Sequence, residues 1–419
     1  MYKRLIVIGL VACTFFWLTT ANSIAKQNEL RIGVVAPLTG PAARTGVEFK
    51  YSIKMAFDEV GNKIGDYNVK IIWIDSESDP EKATRAYEQA VLREKMDVGL
   101  CNWHSSVAVA LMSSAAKNRV PHYFGIGSTG VVNEKFNSNR DRFGYWMAKG
   151  WPEPWKTSVA YSIAFEEAIK KGIWKPRNKK AVIYGEDTDW GRSVCAGIRD
   201  QLKGYGWEIL AEDYIKLNET DFYPLLTKYK KMDVSLVAGS ISTPPSAASF
   251  IKQFREIGVN SLLISDALGD IGEWYQMTGS AADGVLDNRA IWNTEKGKAF
   301  AKKYEELYNI YPSAASGGLV YDYARFFIKV ANACLKEYGK LDRKTLYQFG
   351  RENLWTGKIS FTDGVVMDEY AYAPETLPDP IVGAGKFIFP INQYFGGKST
   401  IVWPANWKTG ELSIPSYAQ

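Results

Sequence analysis

The sequence has little of what enzymes and metal sites usually need. It contains two histidines in 419 residues, and none of its four cysteines is spaced from another as zinc ligands are. It has no G-x-S-x-G elbow, no Walker motif and no H-E-x-x-H motif. These absences argue against the common hydrolases, and we expect no catalytic residue, no metal and no cofactor.

An excess of charge of one sign is also missing. The chain has 51 Lys and Arg against 46 Asp and Glu, a net charge of +5. Binding to nucleic acid usually requires a concentrated basic face. After residue 25, no stretch approaches the roughly 18 consecutive apolar residues of a membrane-spanning helix. We therefore expect a soluble mature protein without a nucleic-acid partner.

Residues 1–25 have the pattern of a signal peptide. Lys3 and Arg4 precede an uncharged apolar run, and Ser23 and Ala25 supply the small residues of a cleavage site. We predict cleavage after Ala25 and export to the periplasm. The mature chain then keeps 49 basic against 46 acidic residues, a net charge of +3.

The cysteines leave two alternatives open. A lipoprotein-like sequence ends at Cys13, but cleavage there would leave four apolar residues at the new N-terminus, so a lipid anchor is the weaker alternative. Cys101, Cys195 and Cys334 remain in the mature chain. Either one pair of them forms a disulfide or all three are buried free thiols, and their spacing does not decide.

The mature chain repeats one structural pattern twice. Its length of about 394 residues favours two domains. Short apolar runs alternate with helical segments, and the alternation restarts near Trp151. This predicts an α/β fold with two doubly wound parallel-sheet lobes, whose ligands bind where strands end. The chain also has 14 Trp and 24 Tyr, the kinds of side chain that line ligand clefts.

Six segments, in this order and spacing, resemble the periplasmic leucine/isoleucine/valine-binding proteins of ABC transporters. They are RIGVVAPLTGPAARTG (31–46), DSESDPEKA (75–83), NWHSS (102–106), GIGSTG (125–130), YGEDTDWG (184–191) and FIKQFREIGV (250–259). The resemblance implies the type I periplasmic binding fold, in which three crossovers form a hinge.

The resemblance also implies where the two lobes begin and end. We place the crossovers near Gly150, Asp287 and Asp363. The N-terminal lobe is then residues 26–150 and 288–363, and the C-terminal lobe is residues 151–287 and 364–419. The role of the segment after Asp363 stays open.

In the family, the first lobe binds the carboxylate of the ligand through a Ser/Thr turn and backbone amides. The matching residues here are Ser105, Ser106, Gly127, Ser128 and Thr129. A helix N-terminus after residue 106 would add unpaired N–H groups and a positive dipole. The alternative is that the two serines at 105 and 106 only cap that helix.

From the second lobe, the resemblance assigns two further contacts. Asp266 matches the acidic residue that meets the ligand ammonium, although an aspartate there could instead cap the following turn. Trp190 matches an aromatic residue that closes over the ligand, with core packing as the alternative. A charged group in a closed cleft needs a partner, which a ligand cation would supply.

The sequence departs from the family pattern in the first-lobe turn, at the first crossover and in the opening loop. Trp103 and His104 occupy a turn that is often small, and Trp151 occupies a crossover that is often polar. His104 could contact the ligand and sense pH, or it could be packed or solvated. Arg44 could bind a second carboxylate through two hydrogen bonds, or it could be a solvated loop residue. We count His104, Trp151 and Arg44 as candidate ligand contacts, and a larger, aromatic or acidic ligand becomes possible.

We therefore predict a monomeric extracytoplasmic binding protein, not an enzyme, that delivers an amino acid or related small carboxylate to an ABC permease. The alternative is a soluble ligand sensor of the same fold that acts through a separate membrane partner. Residues 125–130 also match the dinucleotide pattern G-x-G-x-x-G. They follow the fourth predicted strand, not the first, and we expect no helix after them, so we do not favour a nucleotide-binding enzyme.

Overall fold

A computed structural model describes residues 28–270 and 273–419 of the chain. The predicted signal peptide, residues 1–25, and the possible lipid attachment site at Cys13 lie outside the described residues. Among the helices of the described part, none combines the length and the apolar character needed to cross a membrane. The described residues fold into two α/β lobes, each built on one sheet.

The sheet of the first lobe has five strands, β1 (Glu29–Ala36), β2 (Lys63–Ile64), β3 (Tyr67–Asp75), β4 (Val98–Leu100) and β5 (His122–Tyr123). Their order is β2-β3-β1-β4-β5, and all neighbours are parallel except β2 and β3. β1 is paired on both sides and its apolar residues are almost fully buried. A continuous apolar run is what a strand covered on both faces requires.

The sheet of the second lobe has seven strands, β6 (Lys180–Glu186), β7 (Glu208–Ile215), β8 (Leu236–Ser240), β9 (Leu262–Asp266), β10 (Leu286–Asn288), β11 (Ile391–Phe395) and β12 (Lys398–Trp403). Their order is β12-β11-β10-β9-β8-β6-β7. The five strands from β6 to β10 are parallel, and the last two form an antiparallel edge. The predicted doubly wound parallel sheets are confirmed in both lobes.

Thirteen α-helices are present in the described part of the chain. They are α1 (Ala43–Asp58), α2 (Pro80–Leu92), α3 (Ser105–Asn118), α4 (Gly130–Ser138), α5 (Arg140–Phe143), α6 (Pro154–Lys170), α7 (Asp189–Gly204), α8 (Tyr223–Met232), α9 (Pro244–Ile257), α10 (Trp274–Thr278), α11 (Glu295–Tyr308), α12 (Val320–Tyr338) and α13 (Arg343–Phe349). Helix α2 begins with a side-chain cap. Asp79 accepts the backbone N–H groups of Glu81 and Lys82 at 2.8 and 2.9 Å.

Helix α4 corrects one expectation. The sequence predicts no helix after the glycine-rich residues 125–130, yet α4 begins at Gly130. Thr129 caps it by accepting the N–H of Val131 at 3.3 Å. Val132 and Phe136, four residues apart, are fully buried in the core of the first lobe. This packing outweighs the modest helix propensity of two adjacent valines.

The hydrophobic cores show which segments pack together. The core of the first lobe contains buried residues from segments 30–151 and 290–389. Two clusters in the second lobe draw on segments 160–286 and 391–418. On this packing, we propose that the three crossovers lie near Gly150, Arg289 and Pro390.

The third crossover therefore differs from the prediction near Asp363. Tyr370 and Tyr372 are fully buried in the core of the first lobe. The hydroxyl of Tyr372 donates to the backbone oxygen of Lys149 at 2.6 Å. Because these contacts hold residues 365–389 against the first lobe, we propose that the chain passes to the second lobe where β11 begins.

Cys101, Cys195 and Cys334 are buried and free. Of the two alternatives for these residues, the structure has the three buried thiols.

Candidate functional site

A cavity lies between the two lobes. Most of its wall comes from residues that closely follow the carboxyl ends of strands β4, β5, β6, β8, β9 and β10. This is where ligands bind in α/β proteins. The wall consists of Trp103, His104, Ser105, Ile126, Ser128, Trp151, Trp190, Ser242, Asp270 and Arg289.

The backbone bends sharply where three of these strands end. Cys101 follows β4, Phe124 follows β5 and Ala267 follows β9, with φ angles of 56°, 55° and 93°. Non-glycine residues rarely adopt positive φ, and such conformations concentrate at functional sites. Each bend directs the chain from a strand into a loop that forms the cavity wall.

In the first lobe, Ser105 organises the loop that carries Ser128. Its Oγ accepts the backbone N–H groups of Ser128 and Thr129 at 3.1 and 3.2 Å. Gly127 lies so close to α3 that a Cβ would be 2.7 Å from the Cβ of Ala108, so only glycine fits. The hydroxyl of Ser128 is buried and has no hydrogen-bond partner.

Helix α3 begins at Ser105 in this wall, and the side chain of His104 at its N-cap makes no capping bond. An uncapped helix N-terminus offers free N–H donors and a positive dipole end. Both ring nitrogens of His104 lack a partner. Burial lowers the pKa of His104 to about 4, so the imidazole is neutral at physiological pH. This end of the cavity therefore suits an anion.

Three tryptophans form the apolar part of the wall. The ring centroids of Trp103 and Trp151 are 6.1 Å apart, and those of Trp151 and Trp190 are 6.3 Å apart, in both cases edge to face. The indole N–H of Trp190 donates to Ser240 Oγ at 3.1 Å. The indole N–H of Trp151 is buried without a partner.

Arg289 is the cationic group of the cavity. Its Nη1 donates to Asp266 Oδ1 at 3.0 Å, and its Nε donates to Asp270 Oδ2 at 3.2 Å. The guanidinium carbon lies 5.0 Å from the ring centroids of both Trp151 and Trp190. Two atoms of this arrangement have no partner, Arg289 Nη2 and Asp270 Oδ1.

The charges around Arg289 influence one another. Burial raises the pKa of Asp270 to about 6, although Arg289 opposes the shift. Burial disfavours the charged guanidinium, but Asp266 and Asp270 outweigh it and raise the pKa of Arg289. Burial and the Asp266 charge hold the pKa of Asp287 well above its usual range. At neutral pH this end of the cavity therefore contains the Arg289 cation beside a mostly ionised Asp270.

Five of the ten predicted site residues lie in the cavity wall: His104, Ser105, Ser128, Trp151 and Trp190. The structure gives three others supporting positions behind it. Ser106 Oγ accepts the N–H of Asp189 from the second lobe at 3.4 Å. Thr129 caps α4, and Gly127 donates its N–H to Asn102 Oδ1 at 3.3 Å.

Asp266 and Arg44 lie outside the cavity wall because protein partners engage them. Asp266 Oδ1 accepts from Arg289, from Tyr161 at 3.1 Å and from the backbone of Asn288 at 3.2 Å. Arg44 donates two hydrogen bonds to Glu273 and one to Glu48. Neither side chain lines the cavity, and the ligand contacts predicted for Asp266 and Arg44 stay predictions.

The residues that sequence reasoning missed are Trp103, Ile126, Ser242, Asp270 and Arg289. Two of them had a signal in the sequence. Asp270 comes four residues after Asp266, and Arg289 directly precedes the apolar residues 290–292. An ionic residue buried beside such a stretch needs a partner.

A family model described as periplasmic binding protein matches residues 29–363. Among curated proteins, the Leu/Ile/Val-binding protein homolog 6 of Brucella suis is 25% identical over 258 residues. That match covers 61% of this chain and 61% of the relative, so the chain spans less than two thirds of that relative's length.

Solved structures share the fold. A putative branched-chain amino acid ABC transporter from Silicibacter pomeroyi superposes with a TM-score of 0.74 at 19% identity, over 93% of this chain and 100% of the other. A solute binding protein of an ABC transporter from Rhodopseudomonas palustris, in complex with 3,4-dihydroxybenzoic acid, gives a TM-score of 0.70 at 20% identity. It covers 89% of this chain and 96% of the other.

Proposed function

The chain belongs to the periplasmic binding protein family, and from that premise we propose that it is the extracytoplasmic substrate-binding protein of an ABC importer. Its cargo is an amino acid or a related small carboxylate. The family assignment agrees with the motif resemblance and supports a location outside the cytoplasm. The partner in this proposal is a membrane permease that receives the ligand.

One observation carries the proposal, namely the unpartnered polar atoms of the cavity wall. Ser128, Trp151, Asp270 and Arg289 each bury at least one such atom in a wall that is otherwise largely apolar. Buried polar groups are almost always hydrogen-bonded in proteins. A small ligand with polar ends would satisfy them and place its body against the tryptophans.

The two ends of the cavity suggest how the ligand lies. A carboxylate would accept from Ser128 Oγ and from the first N–H groups of α3. The opposite end of the ligand would meet Asp270 and Arg289.

The relatives support a carboxylate ligand. The Brucella relative is named for leucine, isoleucine and valine, and the Rhodopseudomonas structure holds 3,4-dihydroxybenzoic acid. Both kinds of molecule carry a carboxyl group. The tryptophan faces of this cavity suit either an aliphatic or an aromatic body.

Contacts across the cleft support capture by closure of the lobes. Gly130 donates its N–H to Ser193 Oγ at 3.3 Å, and Asp189 donates to Ser106 Oγ. Trp151 and Trp190 meet edge to face across the same cleft. A ligand that contacts both walls binds the closed arrangement better than an open one and therefore shifts the equilibrium toward it.

A thermal-shift screen of the mature chain tests the proposal. The panel contains aliphatic, aromatic and acidic amino acids, small amides, and aromatic carboxylates without an amine. A ligand at 100 times its dissociation constant should stabilise the fold by about 2.7 kcal/mol. Matched amines without a carboxyl group serve as controls. Stabilisation by the amines alone, or by no member of the panel, would contradict a carboxylate site.

A further inference from the structure

We propose that Asp270 and Arg289 together recognise a carboxamide-like group, a primary amide or a urea, at the end of the ligand opposite its carboxylate. This inference rests on the proposed function, because it names the chemistry of the second end of the same ligand. Under this proposal, Asp270 and Arg289 determine which ligands bind, and neither residue contacts the ligand carboxylate.

The guanidinium of Arg289 is held in one orientation. Its Nη1 bonds Asp266 Oδ1 and the backbone oxygen of Asn288, at 3.0 and 2.9 Å, and its Nε bonds Asp270 Oδ2. Trp151 and Trp190 each lie 5.0 Å from the guanidinium carbon. Arg289 is 1% exposed. With two nitrogens bonded and two aromatic neighbours, the third nitrogen cannot turn away to find another partner.

The unused atoms of this ion pair are one donor and one acceptor. Arg289 Nη2 carries hydrogens without an acceptor, and Asp270 Oδ1 is an acceptor without a donor. Both are buried, and both residues line the cavity. Because Nε and Oδ2 already join the two side chains, the free donor and the free acceptor belong to neighbouring groups in one wall.

An amide satisfies both atoms at once. Its carbonyl oxygen accepts from Arg289 Nη2, and its N–H donates to Asp270 Oδ1. An ionised carboxylate has only acceptors and would face the Asp270 oxygen unfavourably. An ammonium has only donors and would face the Arg289 nitrogen unfavourably. A branched alkyl group would leave both buried atoms unpaired, which is costly.

Two sets of isosteric ligands test this assignment in the unmodified protein. One set is glutamine, glutamate and homoleucine, and the other is 4-carbamoylbenzoate, terephthalate and 4-isopropylbenzoate. In each set the members differ only at the far end. In at least one set, calorimetric titration should show the amide binding at least 10-fold more tightly than both the carboxylate and the alkyl member.

The Asp270→Asn variant sharpens the test. Its amide can keep an acceptor toward Arg289 Nε and present N–H groups in place of the free oxygen, so two donors would face the ligand. The carboxylate ligand of each set should then bind more tightly than the amide ligand. A merely structural role for Asp270 would not produce this reversal of affinities. Asp200→Asn is the matched control, because Asp200 pairs with Arg199 at an exposed position.

The outcomes separate this inference from the proposed function. Binding of the sets without preference for the amide, or with preference for the alkyl member, overturns the assignment and leaves carboxylate capture standing. Binding of other carboxylates but of no member of either set also overturns it. Failure of every carboxylate overturns the proposed function itself. If Asp270→Asn does not fold, the wild-type series still decides.

Discussion

Ser128 is the residue whose role can be isolated most cleanly. Its hydroxyl is buried and unpartnered, while its backbone N–H is fixed by Ser105. Removal of the hydroxyl therefore changes the stability of the free protein little. It deprives a bound carboxylate of one charged hydrogen bond. Such a bond contributes about 1.5–3 kcal/mol.

For Ser128→Ala we expect the affinity to fall roughly 10- to 150-fold, because about 1.4 kcal/mol corresponds to a factor of ten. The ligand is the carboxylate that stabilises the protein most. The melting temperature without ligand should change little. Calorimetric titration measures the first quantity and a thermal scan the second. Ser138→Ala, at an exposed position, is the control. Equal affinity in both variants would remove Ser128 from the site.

At this scale, residue type and position in the fold were predictable but pairing was not. The sequence predicts an acidic ligand contact at Asp266, the last residue of β9, and does not single out Asp270. The structure gives the Asp266 carboxylate to Arg289, Tyr161 and Asn288. Those partners lie 23, 105 and 22 residues away in the sequence. Local patterns contain no information on contacts of such separation.

Helices and strands were predictable wherever the apolar periodicity was long. β1, α12 and the parallel strands β6, β8 and β9 follow directly from it, whereas the three-residue strand β10 does not. The exceptions are α4, which tertiary packing of Val132 and Phe136 stabilises, and the third crossover, which depends on Tyr370 and Tyr372. In both cases the deciding contacts join distant segments.

Helix α1 is joined to the turn before α12 through Glu48. The side chain of Glu48 accepts from Ser313, Ser316 and Arg44 and is 1% exposed. Burial raises the pKa of Glu48 to about 7, although Arg44 opposes the shift. Between the ordinary value of 4.5 and about 7, the folded state therefore binds more protons than the unfolded state.

The contribution of Glu48 to the free energy of unfolding should thus fall as pH rises through this window, by at most about 3 kcal/mol. Glu48→Gln removes the titrating group. The difference in melting temperature between wild type and variant should therefore change between pH 5 and pH 8. Melting temperatures measured across that range check it. Glu295→Gln, at an exposed position, is the control. Parallel curves for wild type and Glu48→Gln would show that Glu48 does not titrate there.

The two lobes are joined at the edge of the cleft by one bidentate ion pair. Arg44 of the first lobe donates to Glu273 of the second at 2.7 and 2.9 Å. Both side chains are about one quarter exposed. An ion pair of this exposure contributes on the order of 1 kcal/mol, and here that energy favours the closed arrangement.

Glu273→Gln should therefore accelerate release of the bound carboxylate about fivefold and leave its association rate nearly unchanged. Stopped-flow tryptophan fluorescence with the panel member that stabilises most measures both rates. Glu305→Gln is the matched control. A release rate equal to that of wild type would mean that the Arg44–Glu273 pair does not favour closure.

The account as a whole depends on the cavity between the lobes being the ligand site. Calorimetric titration of wild type and Trp190→Ala with the most stabilising carboxylate tests this most directly. Trp155→Ala is the control, because Trp155 is 50% exposed. We expect one bound ligand per chain in wild type, and the same stoichiometry and affinity in Trp155→Ala. Binding to Trp190→Ala should be at least 10-fold weaker. Unchanged affinity in Trp190→Ala, or more than one equivalent site per chain, would contradict the account.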